Sequence, residues 1–280
     1  MPIVAISRLL GTQGEQVARD LAARLGYRFL DRQSLLAEAQ AMGVRNLRPN
    51  APELAETPPT LWQRLNEERR RYGVLLRAGV YGFARGDDAV ILGLGASHLL
   101  REVSHAIKVL IVAGAAIRVA RVMETGSQRR PGPLNASDAE DAMQQADREW
   151  TGYIRYMFGA NMLDPLLYDV VLATDRLTAA GAVEQLVALA QRPEFQATAP
   201  SLQRVADLAL SSRAEVALTS HEGLWVHGLR VQGVRGEVTI GGEVVTEEDR
   251  ELAEQIVQAL PGVWRVRNEL RIQPPPLTGM

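Results

Sequence analysis

Across residues 1–192, short apolar runs alternate with stretches of helical periodicity, and that alternation restricts the chain to a parallel sheet covered by helices. The pattern predicts strands at Ile3–Ile6, Arg28–Leu30, Ala89–Leu92, Val109–Ala113 and Val170–Ala173. A helix is predicted over Gly14–Leu25, where Val17, Leu21 and Leu25 form one stripe and Gly26 supplies the stop. Further helices are predicted over Arg32–Met42, Leu61–Tyr72, Val74–Ala84, Ala115–Glu124, Asp138–Phe158 and Leu177–Gln191. Ser137 reads as the cap of the long helix, with Glu140 as its capping-box partner. Pro49, Pro52, Pro58 and Pro59 make residues 45–60 an irregular loop.

Residues 193–200, bounded by Pro193 and Pro200, read as a linker, and the grammar changes beyond it. A helix (Leu202–Leu210) leads to a strand (Gly228–Gln232), a Gly-rich turn and a strand in which Val238 and Ile240 alternate. A helix (Thr246–Leu260) and a last strand follow. In that strand Val266, Leu270 and Ile272 face one way and Arg265, Arg267, Glu269 and Arg271 the other, so the sheet is solvated on one side. The predicted organisation is an α/β domain over 1–192 with a five-stranded parallel sheet, a small α+β domain over 201–273, and a flexible tail over 274–280.

Composition removes several kinds of function. The chain has no cysteine, so disulfides, thiolate nucleophiles and cysteine zinc sites are excluded. A formal net charge of −2 gives no global attraction to nucleic acid. The longest apolar run, Val109 to Ile117, falls far short of the ~20 residues of a membrane-spanning helix, and the N-terminus has no export-signal pattern. The expected setting is the cytoplasm. His98, His105, His221 and His227 show no metal spacing and have no nucleophile placed with them, so no metal site is expected. Of 31 basic residues only Lys108 is a lysine, which leaves one candidate for any chemistry that needs an amine.

A strand, a Gly-containing turn and a helix together present backbone N–H groups and a helix N-terminus to phosphate. Here that turn is Ser7-Arg8-Leu9-Leu10-Gly11-Thr12-Gln13-Gly14-Glu15-Gln16. Residues 1–192 resemble the cytidylate-kinase-like family on this turn and on stretches that follow in the same order. These are Phe29-Leu30-Asp31-Arg32, Val90 to Ala96, Arg118 to Met123, Asp147-Arg148-Glu149 and Tyr168 to Thr174. The resemblance implies the nucleoside-monophosphate-kinase version of the P-loop fold, with ATP and Mg²⁺ as its cofactors. It also implies a phosphate or nucleotide site at Arg8, Gly11, Thr12, Gln13, Gly14, Glu15, Asp31, Arg118, Arg121 and Arg148. Arg129, Arg130 and Arg155 lie on segments that face the cleft in this fold; Arg118 and Arg121 share one helix face. Asp31 reads equally well as a cap for the helix beginning at Arg32.

The same resemblance marks departures. Gly14 stands where a standard P-loop has its lysine, although the family generally lacks that lysine too. Glu15 stands where the family usually has a basic residue, and its carboxylate repels phosphate. Leu94 replaces the arginine of G-R-G after strand three, no Asp follows that strand, and Trp150 stands where a phosphate-facing arginine is expected. Three readings follow: a nucleotide- or phosphate-binding protein impaired in phosphoryl transfer, which the combined losses favour; an active ATP-dependent (d)CMP-type kinase; and an oligomerising scaffold with an empty cleft.

Residues 201–272 resemble a BON domain, on Gly233 to Val244 with its G-x-V-x-L-x-G-x-V pattern and on Leu260-Pro261-Gly262-Val263-Trp264-Arg265-Val266-Arg267-Asn268-Glu269-Leu270. Such domains are binding modules often linked to phospholipid. In a chain without an export signal this copy is expected to sense a ligand or to self-associate.

Overall fold

The structure, a computed structural model, describes residues 1–35, 67–127 and 131–273. The loop expected at 45–60, most of the helix expected at 32–42, Arg129, Arg130 and the tail 274–280 lie outside the described residues. In chain order the elements are β1 (Ile3–Arg8), α1 (Gly14–Leu25), β2 (Arg28–Leu30), α2 (Glu67–Ala84), β3 (Ala89–Leu92), α3 (Ala96–Leu99), β4 (Ala106–Val112), α4 (Ala115–Thr125) and α5 (Ala136–Phe158). Then come β5 (Val170–Ala173), α6 (Ala179–Ala190), α7 (Ala199–Ser220), β6 (His227–Val234), β7 (Glu237–Val244), α8 (Glu247–Gln258) and β8 (Arg265–Ile272). The described residues divide into two compact units, 1–35 with 86–198 and 67–85 with 199–273.

The first unit is a five-stranded parallel sheet in the order β2-β3-β1-β4-β5. Its central strands are apolar at nearly every position because both faces are covered. Val4, Ile6, Val109 and Ile111 pack with Val17 and Leu21 of α1 and with Ala182 and Leu186 of α6. Ile3 and Leu110, on the other face, are fully or almost fully buried as well. The order brings the C-terminal ends of β1, β3, β4 and β5 to one edge. Gly93 N–H donates to Ile6 O there (2.8 Å), so the turn after β3 abuts the turn after β1.

The second unit carries a three-stranded sheet, β6-β7 antiparallel and β7-β8 parallel. Leu210, Ala214 and Leu218 of α7 and Ala253 and Val257 of α8 pack with Val238, Ile240 and Leu270 from one face. Thr246 caps α8 with a full capping box to Asp249.

Three local expectations are corrected. Asn135, not Ser137, caps α5: its side chain accepts from Asp138 N–H at 2.9 Å while Asp138 accepts from Asn135 Nδ2 at 2.9 Å. α7 runs ten residues past Leu210, because Ala214 and Leu218 pack into the core beyond it; Ser211 and Ser212 return their hydroxyls to Asp207 O (2.7 Å) and Ala209 O (3.0 Å) within the helix. α2 passes through Gly73, where a helix break was expected; the buried glycine is carried by packing despite a helix cost of about 1 kcal/mol.

Candidate functional site

The turn from Leu9 to Gln13 is built by donors that pull its carbonyls inward. Thr12 is fully buried, and its hydroxyl donates to Leu9 O (2.8 Å). Arg118 Nε donates to Leu10 O (2.6 Å) and Arg121 Nη1 to Gly11 O (3.2 Å). Thr174, at the end of β5, donates to Thr12 O (2.9 Å), and Arg121 Nη2 in turn holds Thr174 O (2.6 Å). Four successive carbonyls, Leu9 to Thr12, are thus occupied. Among the described residues none of the backbone N–H groups from Leu10 to Gln16 meets an acceptor. Gly11 (φ 78°) and Gln13 (φ 59°) take the left-handed conformation that makes this curl. The N-terminus of α1 thus carries backbone donors without acceptors, and Gln13, Glu15 and Gln16 among them are exposed, an arrangement that suits an anion.

The residues singled out from the sequence separate into groups. Gly11 to Glu15 form the turn and the first residues of α1. Arg118 and Arg121 lie behind the turn as struts, and Arg118 is also held by Asp147 of α5 through two bonds of 2.8 and 2.6 Å. Arg8 leaves β1 and stacks on Trp150, its guanidinium carbon 4.4 Å from the ring centroid. Its Cβ fills the space beside Gly14: a Cβ added there would lie 2.5 Å from it. Asp31 caps the turn 32–35, accepting from Ser34 N–H (2.9 Å), and pairs with Arg19 (2.8 Å), which also pairs with Glu15 (3.1 Å). Those contacts hold the Asp31 carboxyl below its ordinary pKa against the opposing effect of burial. Arg148 and Arg155 are exposed on α5. Lys108, the third residue of β4, is paired with Asp169 (3.1 Å).

Around this site three successive residues, Gly93, Leu94 and Gly95, have φ of 71°, 59° and 66°. Leu94 is 1% exposed, so an apolar side chain is anchored in the core from a conformation that costs an L-residue about 1–2 kcal/mol. The crevice bounded by Ser7, Arg8, Gly95, Trp150, Tyr153 and Met162 holds about 20 Å³, room for little more than one water.

His98 of α3 lies under this turn, stacked on Phe158 with centroids 5.0 Å apart, and neither ring nitrogen has a hydrogen-bond partner among the described residues. Burial first, and Arg101 second, hold its pKa below the ordinary value. His105 is lowered by burial too, against the opposing pull of Asp87. The unfolded chain therefore takes up protons that the folded one refuses. Stability falls as pH drops from about 6.5 toward the lower folded-state values, and levels off beneath them. His98→Phe, which retains the stack, is expected to flatten the slope of Tm against pH over that window by up to one proton's worth. An unchanged slope would assign the acid response to other groups.

The second unit has a groove of about 1010 Å³ on the polar face of its sheet, where Arg230, Glu243, Glu269 and Arg271 face Arg77 and Glu215. Arg77 and Glu215 pair at 2.6 Å, and the two signs nearly balance along the walls.

The cytidylate kinase-like family model matches residues 3–176 and the BON model matches residues 206–274. The chain belongs to the cytidylate kinase-like family. No curated protein matches it. Among solved structures, an uncharacterized protein from Eubacterium ventriosum ATCC 27560 is similar in fold, with a TM-score of 0.53 and 17% identity over 68% of this chain and 97% of that one. A shikimate kinase from Bacteroides thetaiotaomicron aligns at a TM-score of 0.42 and 16% identity over 68% and 99% of the two chains. The chain thus joins a kinase-like P-loop fold to a BON domain, and no described helix is long and apolar enough to cross a membrane.

Two residues that hold this family member's turn, Thr174 and Asp147, were only parts of matched motifs in the sequence. Each acts on a partner brought near by the sheet order, and that proximity leaves no local signal. Asp175, which fixes Gly114 N–H at 3.0 Å, is of the same kind.

Proposed function

We propose that the first unit binds a nucleotide or another phosphate compound at the turn 8–15 and transfers phosphate inefficiently or not at all, while the BON domain of the same chain senses a ligand or self-associates. The observation that carries this is the row of N–H groups from Leu10 to Gln16, all without acceptors among the described residues. It supplies a phosphate cradle with no side chain required. Phosphoryl transfer needs more, chiefly cations over the transferred group and a metal held beside it. Arg118 and Arg121 spend their donors on turn carbonyls, Asp147 and Thr174, and the place of a loop lysine is filled by Arg8. The groups at the turn that a Mg²⁺ would use have other partners: the Thr12 hydroxyl is buried on Leu9 O, Glu15 is paired with Arg19, and Asp175 accepts from Gly114 N–H.

The test is a coupled assay with ATP, Mg²⁺ and a panel of CMP, dCMP, UMP and AMP, run beside Gly11→Asp, with calorimetry of ATP binding. Binding that Gly11→Asp abolishes, without turnover above that variant, is expected. Turnover that the variant abolishes would make the protein an active (d)CMP-type kinase and overturn the reading.

A further inference from the structure

A second hollow in the BON-containing unit, about 320 Å³, lies between the end of α2, α7, the β6–β7 turn and the residues after α8. Its charged lining is Arg85, Arg213 and Arg235 against Asp207 alone, three positive charges to one negative. Asp207 is buried, and its Oδ1 already accepts from Arg235 N–H (2.7 Å) and Gln203 Nε2 (2.8 Å). Among the described residues none of the three guanidinium groups pairs with a carboxylate, although this chain carries 33 acids and pairs many of its other arginines.

Two further observations mark the hollow as built around something absent from the chain. Arg213 gives one nitrogen to Pro261 O, while its Nε is buried without a partner. Burial, then the Arg85 guanidinium beside it, pulls Arg213 below the usual arginine pKa; Arg213 is half-buried, while Arg85 and Arg235 reach solvent at the mouth. Arg235 sits in the left-handed region (φ 49°) ahead of Gly236 (φ 85°), at a turn position where Asn or Gly is the unstrained choice. Backbone strain and uncompensated charge converge on one cavity, and both persist in sites that bind.

We propose that Arg85, Arg213 and Arg235 form a binding site for a small soluble oxyanion carrying about two or three negative charges, of the phosphate-monoester or pyrophosphate class. Guanidinium forks match the paired oxygens of such a group, and the net lining charge of +2 is opposite in sign and similar in size. The site is separate from the turn 8–15 and does not depend on the function proposed for it.

The probe is inorganic pyrophosphate, titrated calorimetrically into the full chain carrying Gly11→Asp, which removes the loop's contribution. One equivalent is expected to bind, with affinity that weakens as salt rises. Arg85→Gln and Arg213→Gln are each expected to weaken it about tenfold, the loss of one charge-assisted fork. Arg85 has no described acid partner, so Arg85→Gln keeps the test decisive if Arg213→Gln, which also loses Pro261 O, fails to fold. A second readout changes sign. Without anion, Arg85→Gln is expected to raise Tm by a degree or two by relieving the Arg85–Arg213 repulsion, and pyrophosphate then no longer stabilises the variant as it does the parent. Equal binding by parent and Arg85→Gln would overturn the site. So would uptake only onto phosphatidylcholine–phosphatidic acid vesicles with no response to pyrophosphate. Failure of the loop reading looks different: wild type and Gly11→Asp would then bind pyrophosphate alike.

Discussion

Arg118→Met is expected to cost about 3 kcal/mol of stability and to lower the Tm by roughly 6–12 °C. The guanidinium is buried, with its side chain 6% exposed, and three bonds hold it: Leu10 O at 2.6 Å and the two oxygens of Asp147 at 2.6 and 2.8 Å. Methionine fills much of the volume but leaves a turn carbonyl and a carboxylate without their donor, and breaking one side of a buried pair costs more than the pair contributes. Asp147 is 30% exposed, so water recovers part of the loss and keeps the figure at the low end of the range for buried pairs. Adding Asp147→Leu removes the stranded charge, and the double variant is expected to regain about half of the loss, a coupling of about 1–3 kcal/mol. Urea unfolding of the four proteins measures the cycle. A single-variant cost under about 1 kcal/mol would mean that Arg118 is a solvated charge and that the turn stands without it. The same variant tests the proposed binding, because Arg118 holds the carbonyl of Leu10 in the turn.

Much of this fold could be read from the sequence because the central strands of the parallel sheet are buried on both faces and appear as apolar runs, as β3 does at Ala89–Leu92. The edge strands β2 and β5, partly exposed, still fall on Arg28–Leu30 and Val170–Ala173. β4 begins three residues before the predicted Val109 because Lys108 interrupts its run; Asp169 neutralises that lysine at 3.1 Å and the strand passes through it. α3 was not read at all: it follows three left-handed residues, one of them Leu94, and nothing in a leucine announces that conformation. The position of the turn between β1 and α1 was legible from strand, glycines and helix. The roles of its arginines were not. Arg118 and Arg121 do point together, as their spacing requires, but toward carbonyls more than a hundred residues earlier in the chain. Asp31 was left between a pocket acid and a helix cap, and its contacts with Ser34 are those of a cap.

Gly14→Lys, which would restore the lysine of a standard P-loop, is expected to destabilise the protein by about 1–3 kcal/mol and to produce no kinase. A Cβ at residue 14 would lie 2.5 Å from Arg8 Cβ, 3.1 Å from Arg8 Cγ and 3.2 Å from Thr12 Oγ1. The first of these is the root of the arginine side chain, so no rotation of Arg8 clears it and the strand end or the turn must shift. Arg8→Ala leaves the obstructing atom in place; Arg8→Gly removes it. The pair Arg8→Gly with Gly14→Lys is therefore expected to recover most of the lost stability and to bind pyrophosphate more tightly than Gly14→Lys alone, as read by thermal unfolding and calorimetry. A Gly14→Lys protein as stable as wild type would show that the turn has slack the contact distances deny. The outcome matters beyond the turn. Arg8 occupies this space while its guanidinium lies over Trp150, 4.4 Å from the ring centre, at the position where the family resemblance calls for a phosphate-facing arginine. The glycine at 14, which departs from a standard P-loop but not from the family, and the tryptophan at 150 are linked through Arg8, drawn from the strand end onto an aromatic ring across a crevice of about 20 Å³. Reversing either end alone leaves the other in the way.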